Sequence, residues 1–156
     1  MGMGSLPQEP VRAPSAGDEF QRSEHRRTSP SRRLTPEQRA ASRMARARWA
    51  EDLATRFYES NGYQIVARNW HCREGELDIV AILASSTCAI IAVVEVKARA
   101  TTGFGSPFEA ITRAKQKKLR IATAKFITAH PELRGEIRFD VVAVLGSQLE
   151  VLHNAF

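Results

Sequence analysis

Four charged residues sit at the ends of the two most apolar stretches of this chain. Glu76 and Asp78 begin the stretch over 76–83, and Glu95 and Lys97 finish the stretch over 89–97. An ionised group among Val and Ile loses hydration and needs a compensating partner. Both stretches read as strands, since β-branched residues dominate and helix breakers are absent. Ser85-Ser86-Thr87-Cys88 between them has the length of a four-residue hairpin loop. That loop pairs residues whose numbers sum to 173: Ile82 with Ile91, Val80 with Val93, Asp78 with Glu95, and Glu76 with Lys97. Because strand side chains alternate, all four charged groups are expected on one face, at one end of a sheet.

Directly opposed strand residues have Cβ atoms ~5 Å apart, and like charges at that distance repel. A hard divalent cation resolves the conflict. Mg2+ typically takes one or two carboxylates and completes its shell with water and substrate phosphate. Lys97 is then in place to orient a water and to stabilise negative charge on a phosphate. An Asp followed by E-x-K on the neighbouring strand is, by this logic, a set for phosphodiester hydrolysis. The competing reading is plain: strand ends emerge into solvent, and Glu76 opposite Lys97 is a cross-strand ion pair worth ~0.2–1 kcal/mol.

The elements that must hold these groups can be read along the chain. Thr35-Pro36 with Gln38 is a capping-box helix start. A helix runs from there to Ser60, with Trp49, Leu53, Phe57, Ala45 and Ala54 as its apolar stripe and room for a break near 41–44. Asn61-Gly62 ends it, with Gly62 as a left-handed cap. Residues 63–70 form a first strand, followed by the hairpin and a mobile loop over 98–105. Ser106, Pro107 and Glu109 form a second capping box, opening a helix that reaches Ala129 and stops at His130-Pro131. Residues 137–145 and 149–152 are the last strands. The order α-β-β-β-α-β-β predicts an α/β domain with a mixed central sheet flanked by helices.

The chain has 156 residues and a net charge of +6. Residues 1–50 carry +5 of it and residues 51–156 only +1. Residues 1–34, rich in Pro, Ser and Arg, read as a disordered basic tail, leaving one domain over 35–156. Two cysteines make no disulfide framework and fit a reducing compartment. The longest charge-free stretch, 79–94, has 16 residues, short of the ~20 that span a bilayer. With no apolar leader visible, a cytoplasmic protein without membrane contact is expected.

The motifs, taken in order, resemble the YraN-like family of predicted endonucleases. The matching pieces are Glu51 to Ala54 (E-x-x-A), GYQIVARNW at 62–70, GELDIVA at 75–81, VVEVKAR at 93–99, FGSPFEAI at 104–111, RFDVVAV at 138–144 and HNAF at 153–156. That family is similar to the restriction-endonuclease-like PD-(D/E)xK superfamily, near the Holliday-junction resolvases. The resemblance implies a restriction-endonuclease-like fold and a DNA endonuclease dependent on Mg2+, with Mn2+ as a substitute. Branched or structured DNA would be the substrate, and a homodimer the working unit. It implies that Asp78 and Glu95 bind metal, that Lys97 positions the attacking water, and that Glu51 on the first helix completes the metal shell. Glu76 would position Lys97 rather than bind metal. One departure is Ala50, where the family usually has Gly.

Several further residues are candidates. Arg113, Lys115 and Lys117 on the second helix and Arg99 in the loop are candidate phosphate contacts, and Arg120 shares a face with Arg113 and Lys117. Lys115 also falls where the family keeps a Lys. His71-Cys72 has no second ligand pair for zinc. Trp49 is expected in the core, Trp70 in packing, and Asp140 as a hydrogen-bonded partner of a loop or of Arg138. Two alternatives to an enzyme remain at this point: a nucleic-acid-binding module that has the fold without cleavage, and a protein-interaction subunit in which the acidic pair is structural.

Overall fold

The computed structural model describes residues 33–99 and 111–156. The expected tail up to residue 32, most of the expected loop over 98–105 and the capping box at 106–109 lie outside the described residues. The elements are α1 (Pro36–Ser60), β1 (Gln64–Cys72), β2 (Gly75–Leu83), β3 (Ile90–Arg99), α2 (Arg113–Ala129), β4 (Glu136–Leu145) and β5 (Gln148–Leu152). The chain is thus the mixed α/β domain its sequence predicts.

α1 begins with both halves of the capping box made. The Thr35 hydroxyl accepts from the Gln38 N–H at 3.2 Å, and the Gln38 side chain accepts from the Thr35 N–H at 2.9 Å. The helix runs its 25 residues without the break for which the sequence left room. Gly62 follows at φ +84°, a left-handed conformation that a Cβ would strain. The buried face carries Ala50, Ala54 and Tyr58. Trp49 departs from expectation: it is 47% exposed, and its indole N–H donates to the Gly146 carbonyl at 3.2 Å. It lies one residue, about 100° of helix rotation, from Ala50. The small alanines let α1 approach the sheet closely, and the bulky indole is turned to its rim.

α2 starts later than the capping-box reading placed it. Ile111 and Thr112 are not helical, and the Thr112 hydroxyl caps the helix by accepting from the Lys115 N–H at 3.3 Å.

The five strands lie in the order β1-β2-β3-β4-β5. β3 and β4 are parallel, and the other neighbours antiparallel. A parallel pair needs a crossover, which α2 supplies. The hairpin register is the expected one from Leu83↔Ile90 to Ile79↔Val94. One face of the sheet packs Ile79, Ala81, Ala92, Val94, Val142 and Val144 against α1. The other packs Leu77, Val80, Ile91 and Val93 against Leu119, Ala122 and Phe126 of α2. Trp70 joins this second core, edge-on to Phe126 with ring centres 5.3 Å apart.

At the start of β4 a buried polar cluster ties α1, β4 and the C-terminal turn together. Asp140 is fully buried and accepts from Arg138 Nε at 2.9 Å, Arg138 Nη2 and the Tyr58 hydroxyl at 2.7 Å, and the Asn154 N–H at 3.0 Å. Its expected partnership with Arg138 is therefore present. Among the described residues no helix is long and apolar enough to cross a membrane.

Candidate active site

Strict alternation would put Leu77 and Val80 on opposite faces of β2. Both pack against α2, while Ile79 and Ala81 pack against α1. The pleat therefore slips at Asp78. Facing this step on β1, Asn69 adopts φ +50°, one of the few non-glycine residues that tolerate the left-handed region. The β2–β3 ladder ends at Ile79↔Val94, and the next free donor of β3, the Val96 N–H, is taken by Asp78 Oδ2 at 2.8 Å. Asp78 thus stands in for a main-chain acceptor where the two strands part.

The slip corrects one expected pairing. By alternation from Leu77, Glu76 leaves the face that Lys97 occupies. Its carboxylate lies 3.3 Å from Nε2 of His71, its cross-strand neighbour on β1. Lys97 turns instead to Glu95, with Nζ 2.7 Å from Oε1. Glu76 does not position Lys97, and the four charged groups do not share one face.

Glu95 is the deepest of the group, 3% exposed among Val93, Val94 and the helix above. Its Oε1 also receives Lys115 Nζ, at 3.0 Å. Oε2 is buried and has no hydrogen-bond partner among the described residues. A buried oxygen of this kind carries a desolvation cost that no described residue offsets by a hydrogen bond. Burial, then the negative charge of Glu95, push the Asp78 carboxyl up to about 6, against the opposing pull of the Val96 N–H and Lys115. Glu51 adds a further upward push, so its charge is felt at Asp78.

Glu51 itself is held by Asn69, whose Nδ2 donates to Oε2 at 2.9 Å. Among the described residues no three His, Cys, Asp or Glu side chains converge as a metal-binding group. The expected trio of Asp78, Glu95 and Glu51 is therefore a pair with a third carboxylate tethered nearby. Two hard oxygen donors, one of them orphaned, suit Mg2+, which keeps several waters and seldom takes an all-protein cage.

The basic residues of α2 divide. Successive helical residues turn about 100°, so Arg113 and Lys117 fall together and Lys115 on the opposite side. Lys115 faces the sheet and joins the site, whereas Arg113 and Lys117 are exposed. Arg120 is occupied elsewhere, its guanidinium 5.2 Å from the Phe156 ring centre and 5.8 Å from that of Phe139. Arg99 ends β3 beside a cavity of about 560 Å3 that Ala143, Leu145, Gln148 and Glu150 also line. Asn69 was not among the sequence candidates. Its signal was an Asn inside a strand, where that residue type is disfavoured.

The domain is thus a mixed α/β fold carrying an Asp on one strand and a Glu-x-Lys on the next, converging where the strands separate. The chain belongs to the Uncharacterised protein family UPF0102, the YraN family, whose model matches residues 50–144. Similar proteins include a UPF0102 protein of Clavibacter michiganensis subsp. michiganensis, 47% identical over 98 residues, 63% of this chain and 80% of that one. A UPF0102 protein of Nocardia farcinica is 43% identical over 107 residues, 69% of this chain and 81% of its own. One of Acidothermus cellulolyticus is 38% identical over 132 residues, 75% of this chain and 97% of its own.

Proposed function

We propose that this protein is a metal-dependent endonuclease that hydrolyses phosphodiester bonds in DNA. The observation that carries this reading is Glu95: a buried carboxylate near Asp78 with one oxygen held by two lysines and the other without a hydrogen-bond partner among the described residues. Asp78 and Glu95 would hold Mg2+ or Mn2+, with Glu51 reaching the shell through a water or on release from Asn69. When bound, the metal supplies positive charge at the scissile phosphate and lowers the pKa of a bound water.

The protein groups do the rest. Glu95 fixes the Lys97 ammonium by accepting one of its three donors. The other donors are open to an attacking water and to a non-bridging phosphate oxygen. Lys97 is one-third exposed, so substrate can reach it while Glu95 stays dry. Lys115 brings a second positive charge to the same Glu95 oxygen. The water would attack phosphorus in line with the departing ester oxygen. Branched DNA as the preferred substrate, and a homodimer with one strand cut per subunit, belong to the same proposal and follow from the likeness to junction resolvases.

A second reading is favoured by one observation. Lys97 and Lys115 together neutralise Glu95 without any metal, which a nucleic-acid-binding module with no cleavage would also show. The experiment is nicking of linear, flap and four-way DNA with and without Mg2+ or Mn2+. Metal-dependent nicking supports the endonuclease. Salt-sensitive binding with no cutting under either metal supports the module.

A further inference from the structure

Net charge located the basic character of this chain before residue 50, yet much of it lies on folded helix rather than in the tail. Residues 36–50 hold four Arg and one Glu, a net +3, and all belong to α1. Apart from the half-buried Ala40, the first half of α1 is exposed until Ala50. α1 packs by Tyr58 near the start of β4, against Asp140, and by Trp49 near its end, against Gly146. It therefore runs antiparallel to β3 and β4 and continues past their C-terminal ends. The site lies toward the same end, because Glu95, Lys97 and Arg99 are the last odd positions of β3. The overhang, residues 36–49, is ~21 Å long at 1.5 Å per residue.

Spacing decides which way its charges point. Stepping back from the buried Ala54 and Ala50 by four, three and four residues gives Arg46, Arg43 and Arg39. These steps keep to one helix face. The face that covers the sheet further along thus carries three arginines once the sheet has ended, turned over the space beyond the strand ends. Arg46 confirms the direction, since it lines one cavity with Trp49, Arg99 and Gly146. Arg48 lies on the opposite side of the helix. Arg39 and Arg46 are ~10 Å apart along the axis, about three steps of a duplex at ~3.4 Å per nucleotide of one strand.

We propose that the overhanging half of α1 is a phosphate-backbone clamp for double-stranded nucleic acid, with Arg39, Arg43 and Arg46 at the same end of the sheet as the candidate active site. The inference rests on the phosphodiester reading of that site for the identity of the polyanion, and it extends it, because the family match begins only at residue 50. The contacts would be sequence-independent and would fix the duplex in register over the strand ends.

The test is fluorescence-anisotropy binding of the full-length protein to a short labelled DNA duplex in EDTA, over a range of salt concentrations. The expected result is that R39Q/R43Q/R46Q binds about 10- to 100-fold more weakly near 0.1 M salt, with a log–log salt slope shallower by about 2–3. R48Q should bind almost as the parent does. Gln is a good helix former on an exposed face, and circular dichroism checks that α1 survives. R39K/R43K/R46K should retain binding. Unchanged affinity and slope in the triple Gln variant would overturn the proposal. So would an equal loss from R48Q, or a parent protein that binds anionic lipid vesicles and not the duplex. Cleavage is absent from this assay, so arm-dependent binding by a protein that never cuts would remove the endonuclease reading and leave the clamp. Cutting with arm-independent binding would do the reverse.

Discussion

Lys115 of α2 places its ammonium nitrogen 3.0 Å from Oε1 of Glu95 on β3, across the layer between helix and sheet. This contact makes α2 part of the site as well as the crossover between parallel strands. Lys115→Ala should lower the cleavage rate by about 10²-fold while changing duplex affinity little, since electrostatic groups at a reacting centre carry effects of that size. Arg113→Ala should do the opposite: weaker binding with the rate at saturation kept. Saturation kinetics on one duplex substrate distinguish the two.

Asp78 gives a pH-dependent prediction. Burial and the Glu95 charge push its carboxyl in the folded state up to about 6, from an ordinary 3.8. The folded state therefore holds more protons than the unfolded state between these values, and stability falls as pH rises through that window. The full penalty, about 3 kcal/mol at most, is reached above pH ~6. Asp78→Asn removes it and leaves an oxygen for the Val96 N–H. Urea unfolding should show the variant more stable than the parent by about 1–3 kcal/mol at pH 8, with the gain shrinking toward pH 4. Equal stability at both pH values would refute the burial and repulsion assigned to this carboxylate.

Asp140 gives the contrary sign. Burial pushes its carboxyl up, but Arg138, Tyr58, His153 and the Asn154 N–H together hold it below the ordinary value. Its contribution is present above the unfolded-state pKa and is lost as pH falls through the folded one. Tyr58→Phe should cost about 1–3 kcal/mol by leaving Asp140 short of one donor, and Asp140→Ala about 3–5 kcal/mol by leaving Arg138 without its partner. Both losses should appear in denaturation at pH 7, with metal affinity of the surviving folded protein unchanged.

Asn69 combines backbone strain with a hydrogen bond to Glu51. Asn69→Ala should destabilise by about 1–2 kcal/mol, because Ala pays the left-handed penalty without a side-chain bond. Asn69→Gly should cost less in denaturant while still freeing Glu51. A Gly variant as destabilised as the Ala variant would mean that the bond, not the backbone, matters.

Much of this is legible in the sequence alone. Strand composition and the four-residue loop set the hairpin register, and Thr35, Gln38 and Gly62 set both ends of α1, because these depend on local chemistry. The pleat slip at Asp78 was not legible. It lies opposite the left-handed Asn69 on the neighbouring strand, and a one-residue slip sends Glu76 to His71 rather than Lys97. Trp49 was misassigned for a similar reason: a stripe of large residues suggests a core, but the close helix–sheet approach selected Ala50 and Ala54. Lys115 was legible as a basic residue where the family keeps a Lys, but its contact with Glu95 was not, since the start of α2 at Arg113 fixes its rotation toward Glu95.

The central claim is that Asp78, Glu95 and Lys97 form a phosphodiester-cleaving centre. Nicking of a four-way DNA junction by the parent protein and by Asp78→Asn, Glu95→Gln and Lys97→Ala, each with Mg2+ and with EDTA, tests it most directly. The expected result is nicking by the parent with Mg2+ alone, and loss of at least about 10²-fold in each variant while it remains folded and DNA-bound. Nicking that persists in EDTA, or that survives unchanged in the Glu95→Gln variant, would contradict it.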